Sequence, residues 1–363
     1  MPRPPRSFSS HPAAHYKEPK LVRMGRYALS AGLVCLVMVI LYVVAWFGTS
    51  MFLRGSIQDW FEARRAEGYV ATYDDEKARI DGFPFRVRAT LSGVSFAPPK
   101  ENDGTRPWLW STNDLKFSVI PLPWLMGTLH VDLSAKQSFK KAKKTYEGRA
   151  KQFDLAVNWT AKGIPDHLDL NIKKLLLTDK KTSREVKIFD LKISTQRGPE
   201  DEYDFEVLGE GIKIPFGVRG MGSNVEEIIL RGQLSEKFGQ NGLDKEEIAQ
   251  WRDAGGTLEL TRMQFGYGPL IVQGNGTMAL DGDLQLVGAF SARIQGFFQT
   301  VDRLRNAGVV RGPDASMAKV VLGMLSKQPK NGGRATISLP LTLQEGGFFA
   351  GPVRLANLPK IDW

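Results

Sequence analysis

From residue 83 onward the chain repeatedly alternates apolar and polar residues. Phe83, Phe85, Val87, Ala89 and Leu91 alternate with Pro84, Arg86, Arg88, Thr90 and Ser92. The same period runs through Leu115, Phe117 and Val119, through Leu129, Val131 and Leu133, and through Phe153, Leu155, Val157, Trp159 and Ala161. It continues in Leu168, Leu170 and Ile172, in Tyr203, Phe205 and Val207, in Leu270 and Val272, in Leu284, Leu286 and Phe290, and in Ile337, Leu339, Leu341 and Leu343. Successive side chains of a strand point to opposite faces, so this alternation gives each strand one apolar and one polar face. Antiparallel sheets with one wet face have this pattern, whereas buried parallel sheets do not. Turn pairs separate the runs: Asp81-Gly82, Pro98-Pro99, Asn102-Asp103-Gly104, Asn275-Gly276, Asp281-Gly282, Asn331-Gly332-Gly333 and Gly346-Gly347. The expectation is a mainly β protein, with a long curved antiparallel sheet built as a meander, a few short helices, and one transmembrane helix ahead of it.

Two stretches break the period. Residues 243–251 suit a short helix. Phe297, Val301 and Leu304, then Met317, Val320, Val321, Met324 and Leu325, have helical spacing on either side of Arg311-Gly312-Pro313, with Pro313 placed for a first helical turn. Wide apolar faces on these helices call for burial. The sheet's apolar face is the expected partner, and a mobile lid over a lipid groove is the sharper alternative.

The N-terminal region sets the compartment. Residues 27–53 carry no charge and are bracketed by Arg26 and Arg54. At 1.5 Å per residue they reach roughly 40 Å, against about 30 Å of bilayer core. Tyr42, Trp46 and Phe47 lie toward the far end, where an aromatic belt is expected. A cleaved signal peptide would have an apolar region of only about 7–15 residues, and its best small-x-small site here, Gly48-Thr49-Ser50, is poor, so an uncleaved anchor is the favoured reading. Residues 1–26 read as a flexible, basic cytoplasmic tail and residues 54–363 as a β-rich domain outside, because positive flanks stay inside; in a bacterium that means a single-pass inner-membrane protein with a periplasmic domain. Beyond the span, Ile57, Trp60, Phe61 and Arg64 have helical spacing, which suits a short amphipathic helix that caps the domain or rests on lipid; capping is favoured.

The formal charge is +10, of which net +5 falls in the first 26 residues. No zinc-ligand spacing, RNA-recognition sequence or helical basic stripe accompanies it, so nucleic acid is not an expected partner. The single cysteine, Cys35, lies within the apolar segment. His11 and His15 are in the tail, and His130 and His167 occupy polar positions of expected strands. Motifs for a zinc protease, a nucleophile elbow or a P-loop are missing, so the protein is expected not to be an enzyme and to need no metal or cofactor. Lys136, Lys140, Lys141, Lys143 and Lys144 cluster around Phe139 and Tyr146. They read either as a solvated hairpin tip, the favoured role, or as a contact for lipid head groups.

Several elements together resemble the uncharacterised bacterial envelope family called domain of unknown function 2125. They are Gly82-Phe83-Pro84-Phe85-Arg86 shortly after the span, Phe265-Gly266-Tyr267-Gly268-Pro269-Leu270, Gly274-Asn275-Gly276, Leu280-Asp281-Gly282, Leu339-Pro340-Leu341-Thr342-Leu343, Gly351-Pro352-Val353 and Leu358-Pro359. The resemblance covers roughly residues 30–363 and implies an anchor with a β-rich exported domain; it brings no activity or catalytic residue. The long sheet is also, more distantly, similar to the AsmA-like envelope proteins, a resemblance that implies lipid handling between membranes.

These readings converge on a non-enzymatic membrane protein that binds or guides lipid or lipid-like envelope molecules. Phe83, Phe85, Leu115, Phe117, Leu155, Val157 and Trp159 are the candidate groove lining. The competing reading is an envelope scaffold that docks a protein partner through a sheet edge or polar face.

Overall fold

The computed structural model describes residues 20–74, 78–101, 104–121, 127–142, 144–159, 165–199, 202–235, 245–328, 333–351 and 353–361. It opens with a helix, α1 (Lys20–Ala66), of 47 residues. A stretch of this helix reaches a mean hydropathy of 2.5, and α1 is long and apolar enough to cross a membrane. From Leu29 to Leu41 its side chains are exposed, Leu29, Leu33, Leu36 and Leu41 among them. Its second half belongs to the core. Trp46, Leu53, Ile57 and Phe61 fall on one face, are buried, and pack against Ala71, Tyr73, Val87, Ala89, Leu91 and Val94. The amphipathic stretch after the span is thus continuous with it and caps the sheet.

The chain then lays down 18 strand segments in one sheet, antiparallel wherever they pair. β1 (Val70–Thr72) and β2 (Arg79–Asp81) lie end to end along β3 (Val87–Ala97), which pairs with β4 (Leu109–Val119). β4 is met by β5 (Thr128–Asp132) and β6 (Gln137–Lys141) in succession. β7 (Lys144–Arg149) and β8 (Gln152–Trp159) likewise share β9 (Pro165–Asp179). From there the sheet is a plain meander: β10 (Glu185–Arg197), β11 (Tyr203–Val218), β12 (Gly222–Leu234), β13 (Leu258–Tyr267), β14 (Leu270–Leu280), β15 (Leu286–Gln295), β16 (Thr336–Gln344), β17 (Gly347–Ala350) and β18 (Val353–Asn357). No register between described residues joins β18 to β1, β2 or β3, so the sheet is open. Three helices interrupt the meander: α2 (Lys245–Asp253) before β13, and α3 (Phe297–Asn306) and α4 (Gly312–Leu325) between β15 and β16.

The registers align the apolar positions into rows that cross the strands. One row runs by direct cross-strand pairs through Ile80, Ala89, Phe117, Val131, Leu155, Leu170, Ile193, Val207, Leu230, Met263, Gly274, Ala292 and Leu339. A second runs through Leu129, Val157, Leu168, Thr195, Phe205, Gly232, Leu260, Gly276, Phe290, Leu341 and Ala350. Directly opposed residues share a face, so the sheet carries a continuous apolar surface from β2 to β17.

A second device folds that surface. In several strands two consecutive residues both leave the apolar face, and the doublets fall next to one another: Ser92-Gly93 in β3, Asn113-Asp114 in β4, Lys173-Lys174 in β9, Phe189-Asp190 in β10, Glu210-Gly211 in β11 and Glu226-Glu227 in β12. Gly93, Lys174 and Gly211 have positive φ of 61°, 51° and 59°. Each doublet interrupts the pleat much as a bulge does, and interruptions aligned in this way curve a sheet about one line, into a trough. Where the same line crosses β5 and β6, the strand breaks. The buried amide of Gln137 fills the break, donating to the Leu133 carbonyl at 2.6 Å and to the Thr112 hydroxyl at 3.1 Å, while its oxygen accepts from Trp110 Nε1 at 2.6 Å.

Several sequence expectations shift. The strand expected from Phe83 begins only at Val87, because residues 82–86 form the β2–β3 turn. Asn275-Gly276 lies inside β14 rather than in a turn. Leu284 sits buried in the β14–β15 turn, which Asp281 closes by accepting from the amides of Asp283 and Gln285. The expected burial of the α4 apolar face is overturned: Met317, Val320, Val321, Met324 and Leu325 are exposed, while Ala315 is buried. Residues 1–19, Ala161 and the turns at 102–103 and 331–332 lie outside the described residues.

Phe61 is 2% exposed and meets Tyr73 at 4.8 Å. Phe61→Ala is expected to lower unfolding stability by about 3–5 kcal/mol in denaturant titrations, as for other buried aromatics. At Gly211 a Cβ would come within 2.9 Å of the Phe189 Cβ. Gly211→Val combines that overlap with an unfavourable backbone, so a loss of about 2 kcal/mol is expected by the same measurement.

Candidate functional site

The walls of the trough and the second half of α1 enclose a hollow of about 510 Å³. Leu53, Ile57, Trp60 and Phe61 close it from the helix; Val94, Phe96, Trp110, Leu115, Phe117, Leu129, Val131, Leu133, Leu155 and Trp159 form its sheet side. The only polar residue among the lining is Ser56. Such a volume lies within the range of about 300–1,000 Å³ seen for sites that hold small apolar ligands.

Of the residues singled out from sequence, Leu115, Phe117, Leu155 and Trp159 line this hollow. Val157 is buried in the neighbouring row, opposite Leu129 and Leu168. Phe83 and Phe85 do not line it, because they precede the strand. Phe83 sits edge-on to Trp46 at 5.4 Å, and both phenylalanines are largely exposed, at 55% and 80%. Their turn is fastened to α1 instead: Trp46 Nε1 donates to the Arg86 carbonyl at 2.9 Å, and the Tyr42 hydroxyl donates to the Pro84 carbonyl. The Gly-Phe-Pro-Phe-Arg element therefore holds the span against the sheet. Phe96 and Trp110 escaped sequence reasoning because they lie beyond the doublets of β3 and β4, where the apolar phase has switched by one.

A second hollow, of about 750 Å³, opens under the basic hairpin of β6 and β7. Phe139, Tyr146, Leu177, Val186, Pro215 and Phe216 form its apolar wall, with Lys141, Ala142 and Lys144 at the hairpin tip. Aromatic rings lead from one hollow to the other: Trp60 stacks on Phe96 at 5.7 Å, Phe96 meets Trp108 at 6.0 Å, and Trp108 stacks on Phe139 at 6.2 Å.

The lysines fall into two groups. Lys136 is held by Glu147 at 2.9 Å, together with Lys180 at 3.1 Å, and hydrogen bonds from these two ammonium groups hold the Glu147 carboxyl below its ordinary range. Lys140, Lys141 and Lys144 are exposed and have no ion pair among the described residues. Lys143 lies outside the described residues. Three exposed cations thus stand beside an apolar cleft, Lys144 among them close enough to Asp179 to add to the Thr182 hydrogen bond in lowering its carboxyl.

His167 Nε2 lies 2.6 Å from Asp169 Oδ2 on the same strand, and among the described residues no hydroxyl or thiol bonds to that ring. His130 is exposed on β5. Among the described residues no three histidine, cysteine or carboxylate side chains come together as metal ligands.

An open antiparallel trough, joined through one unbroken helix to a candidate membrane span, defines the class of protein. The chain belongs to the family described as "Uncharacterized protein conserved in bacteria (DUF2125)", whose model matches residues 46–359. The match begins at Trp46, where α1 first packs on the sheet. No curated protein and no solved structure matches the chain.

The lowered Glu147 carboxyl has a pH signature. The unfolded chain binds this proton more tightly than the folded one, so the contribution to hairpin stability is complete above the ordinary value of 4.5 and is lost as pH falls through the lower folded value. Amide exchange in β6 and β7 is expected to stay slow from neutral pH to about 5 and to quicken relative to the rest of the sheet below that. Glu147→Gln should remove the dependence and speed exchange at neutral pH.

Proposed function

We propose that this protein is a single-pass bacterial inner-membrane protein whose trough lies in the periplasm and takes up the acyl chains of lipid or lipid-like molecules. It is a binding or guiding protein and not an enzyme. The observation that carries this reading is the apolar surface, which crosses the sheet from β2 to β17 in two overlapping rows and is only partly covered. A soluble domain normally closes such a face with helices or a second sheet. Here α1 covers one end, while Leu170, Ile193, Val207 and Leu230 in the middle remain half-buried. Acyl chains would gain about 0.8 kcal/mol per methylene transferred from water to such a surface.

The charges suit an amphiphile of negative head group. Lys140, Lys141 and Lys144 sit beside the second hollow, and each cation near an anionic lipid surface contributes about 1 kcal/mol, weakened by salt. The basic N-terminus of α1, with Lys20, Arg23 and Arg26 before the apolar stretch, supports a cytoplasmic start and a periplasmic trough.

The test uses the full chain, since Trp46 and Leu53 of α1 belong to the core. Purified in mild detergent, it is expected to retain bound lipid by native mass spectrometry and to take up phosphatidylglycerol carrying a pyrene-labelled acyl chain. Leu129→Trp and Leu155→Trp fill the first hollow without adding charge and should cut uptake several-fold while the melting temperature holds. Lys141→Glu with Lys144→Glu should weaken uptake of the anionic probe about tenfold at low salt, and far less in high salt. A folded protein that carries no lipid and takes up none would overturn the reading in favour of a scaffold that docks a protein partner.

A further inference from the structure

The helix α4 is built inside out. Ala315, Lys319 and Gly323 recur every fourth residue and form the side turned to α3: Ala315 is fully buried, Lys319 Nζ reaches both carboxylate oxygens of Asp302 at 2.9 and 3.0 Å, and Gly323 lies against the Phe298 ring. Hydrogen bonds from Lys319 hold the Asp302 carboxyl below its ordinary range. The large apolar side chains are on the opposite side. Met317, Val320, Val321, Met324 and Leu325 follow the spacing of one helical stripe and are 72%, 57%, 49%, 81% and 52% exposed. A water-facing stripe of this size marks a surface that meets something apolar.

Charge selects the occupant. Residues 297–336 hold seven basic residues and two acidic ones, Asp302 and Asp314, a net +5. The first 26 residues hold net +5 of the chain's +10, so this one insertion accounts for the whole remaining surplus. Among these cations Arg311, 88% exposed and in a solvent-exposed pair with Asp314 at 3.0 Å, opens α4, and Lys327 follows its end. A second copy of the same surface would bring like charges together. A bilayer with anionic head groups matches both features, taking the apolar stripe at its acyl boundary and the cations at its phosphates.

Position separates this contact from the span. α1 is fastened to the β2–β3 turn, at one rim of the sheet. α3 and α4 leave β15 at the other rim, beside the β11–β12 turn, where Gly220 lies against Arg303 and Ala307. We propose that α4 is an interfacial helix that docks onto an anionic lipid surface, as a second membrane contact distinct from α1. This goes beyond the trough reading and stands whether or not the trough holds lipid.

The experiment places an environment-sensitive NBD label at Met324→Cys in the full chain, with Cys35→Ser to leave one thiol, and reconstitutes it in phosphatidylcholine nanodiscs. Adding vesicles that contain phosphatidylglycerol is expected to shift the emission to the blue and raise it several-fold, with a smaller response at high salt. A blue-shifted signal already present in phosphatidylglycerol nanodiscs, and missing in phosphatidylcholine ones, equally supports the proposal and places the contact on the membrane that holds α1. Val320→Asp with Val321→Asp, both at exposed positions, should abolish the response and leave the melting temperature and pyrene-lipid uptake unchanged. An unshifted signal with every lipid, an equal response to phosphatidylcholine vesicles, or a shift that follows protein concentration without lipid would each overturn it.

Discussion

A sheet with one apolar face has to keep water off that face, and nearly everything in this molecule follows from how it does so. The face here is long because the sheet runs from β3 to β18 largely as a meander and its described strands do not close into a barrel. A closed sheet would supply its own cover. An open one needs a partner for each stretch, and among the described residues a substantial one is supplied only at the start of the chain. There the second half of α1 lays Leu53, Ile57 and Phe61 onto Ala89, Leu91 and Leu115. Beyond that, the trough is left to its own curvature, with small clusters such as Leu260, Phe290, Ala292 and Leu341 holding strands together at the far end.

Using one helix for both purposes couples the membrane to the fold. The stretch apolar and long enough to cross a bilayer and the residues that seal the first hollow are on one continuous helix, and two hydrogen bonds fix its middle to the β2–β3 turn. On the proposed membrane reading, the hollow sits at a set height beside the bilayer surface, on the same side as Trp46 and the exposed Phe83 and Phe85. A lipid moving from the membrane to the trough would first meet those rings and then the apolar lining. The same coupling explains why Gly-Phe-Pro-Phe-Arg, the most specific sequence element of the chain, is neither strand nor groove.

The doublets that bend the strands also organise the charge. Each puts two residues side by side on the wet face, so acidic and basic partners meet across strands, as Lys173 and Asp190 do at 3.9 Å. Such exposed pairs contribute little to stability. Their effect is to keep the outer face polar while the bend deepens the inner one. Basic residues also outnumber acidic ones at the β6–β7 hairpin and in the α3–α4 insertion, and each of these adjoins apolar surface.

The sequence by itself determined the span, the antiparallel meander, the helices and their breakpoints, and most of the trough floor from Leu115 to Trp159. Those are local matters: an uncharged run of sufficient length, a period of two, a proline in a first turn. β10 and β12 were not legible in the same way. Their apolar phase switches at Phe189-Asp190 and Glu226-Glu227, and a switch within a strand erases the alternation that identifies it. Phe96 and Trp110 were missed as lining for the same reason. Which apolar faces would be covered was decided only by tertiary structure. Phe83 and Phe85 continued a clean alternation and yet stand outside the groove, because the chain turns there. Met317 through Leu325 promised a buried helix and yet face outward, because α4 packs through its small residues. Periodicity states that a face is apolar; only the packing of distant segments determines what, if anything, lies against it.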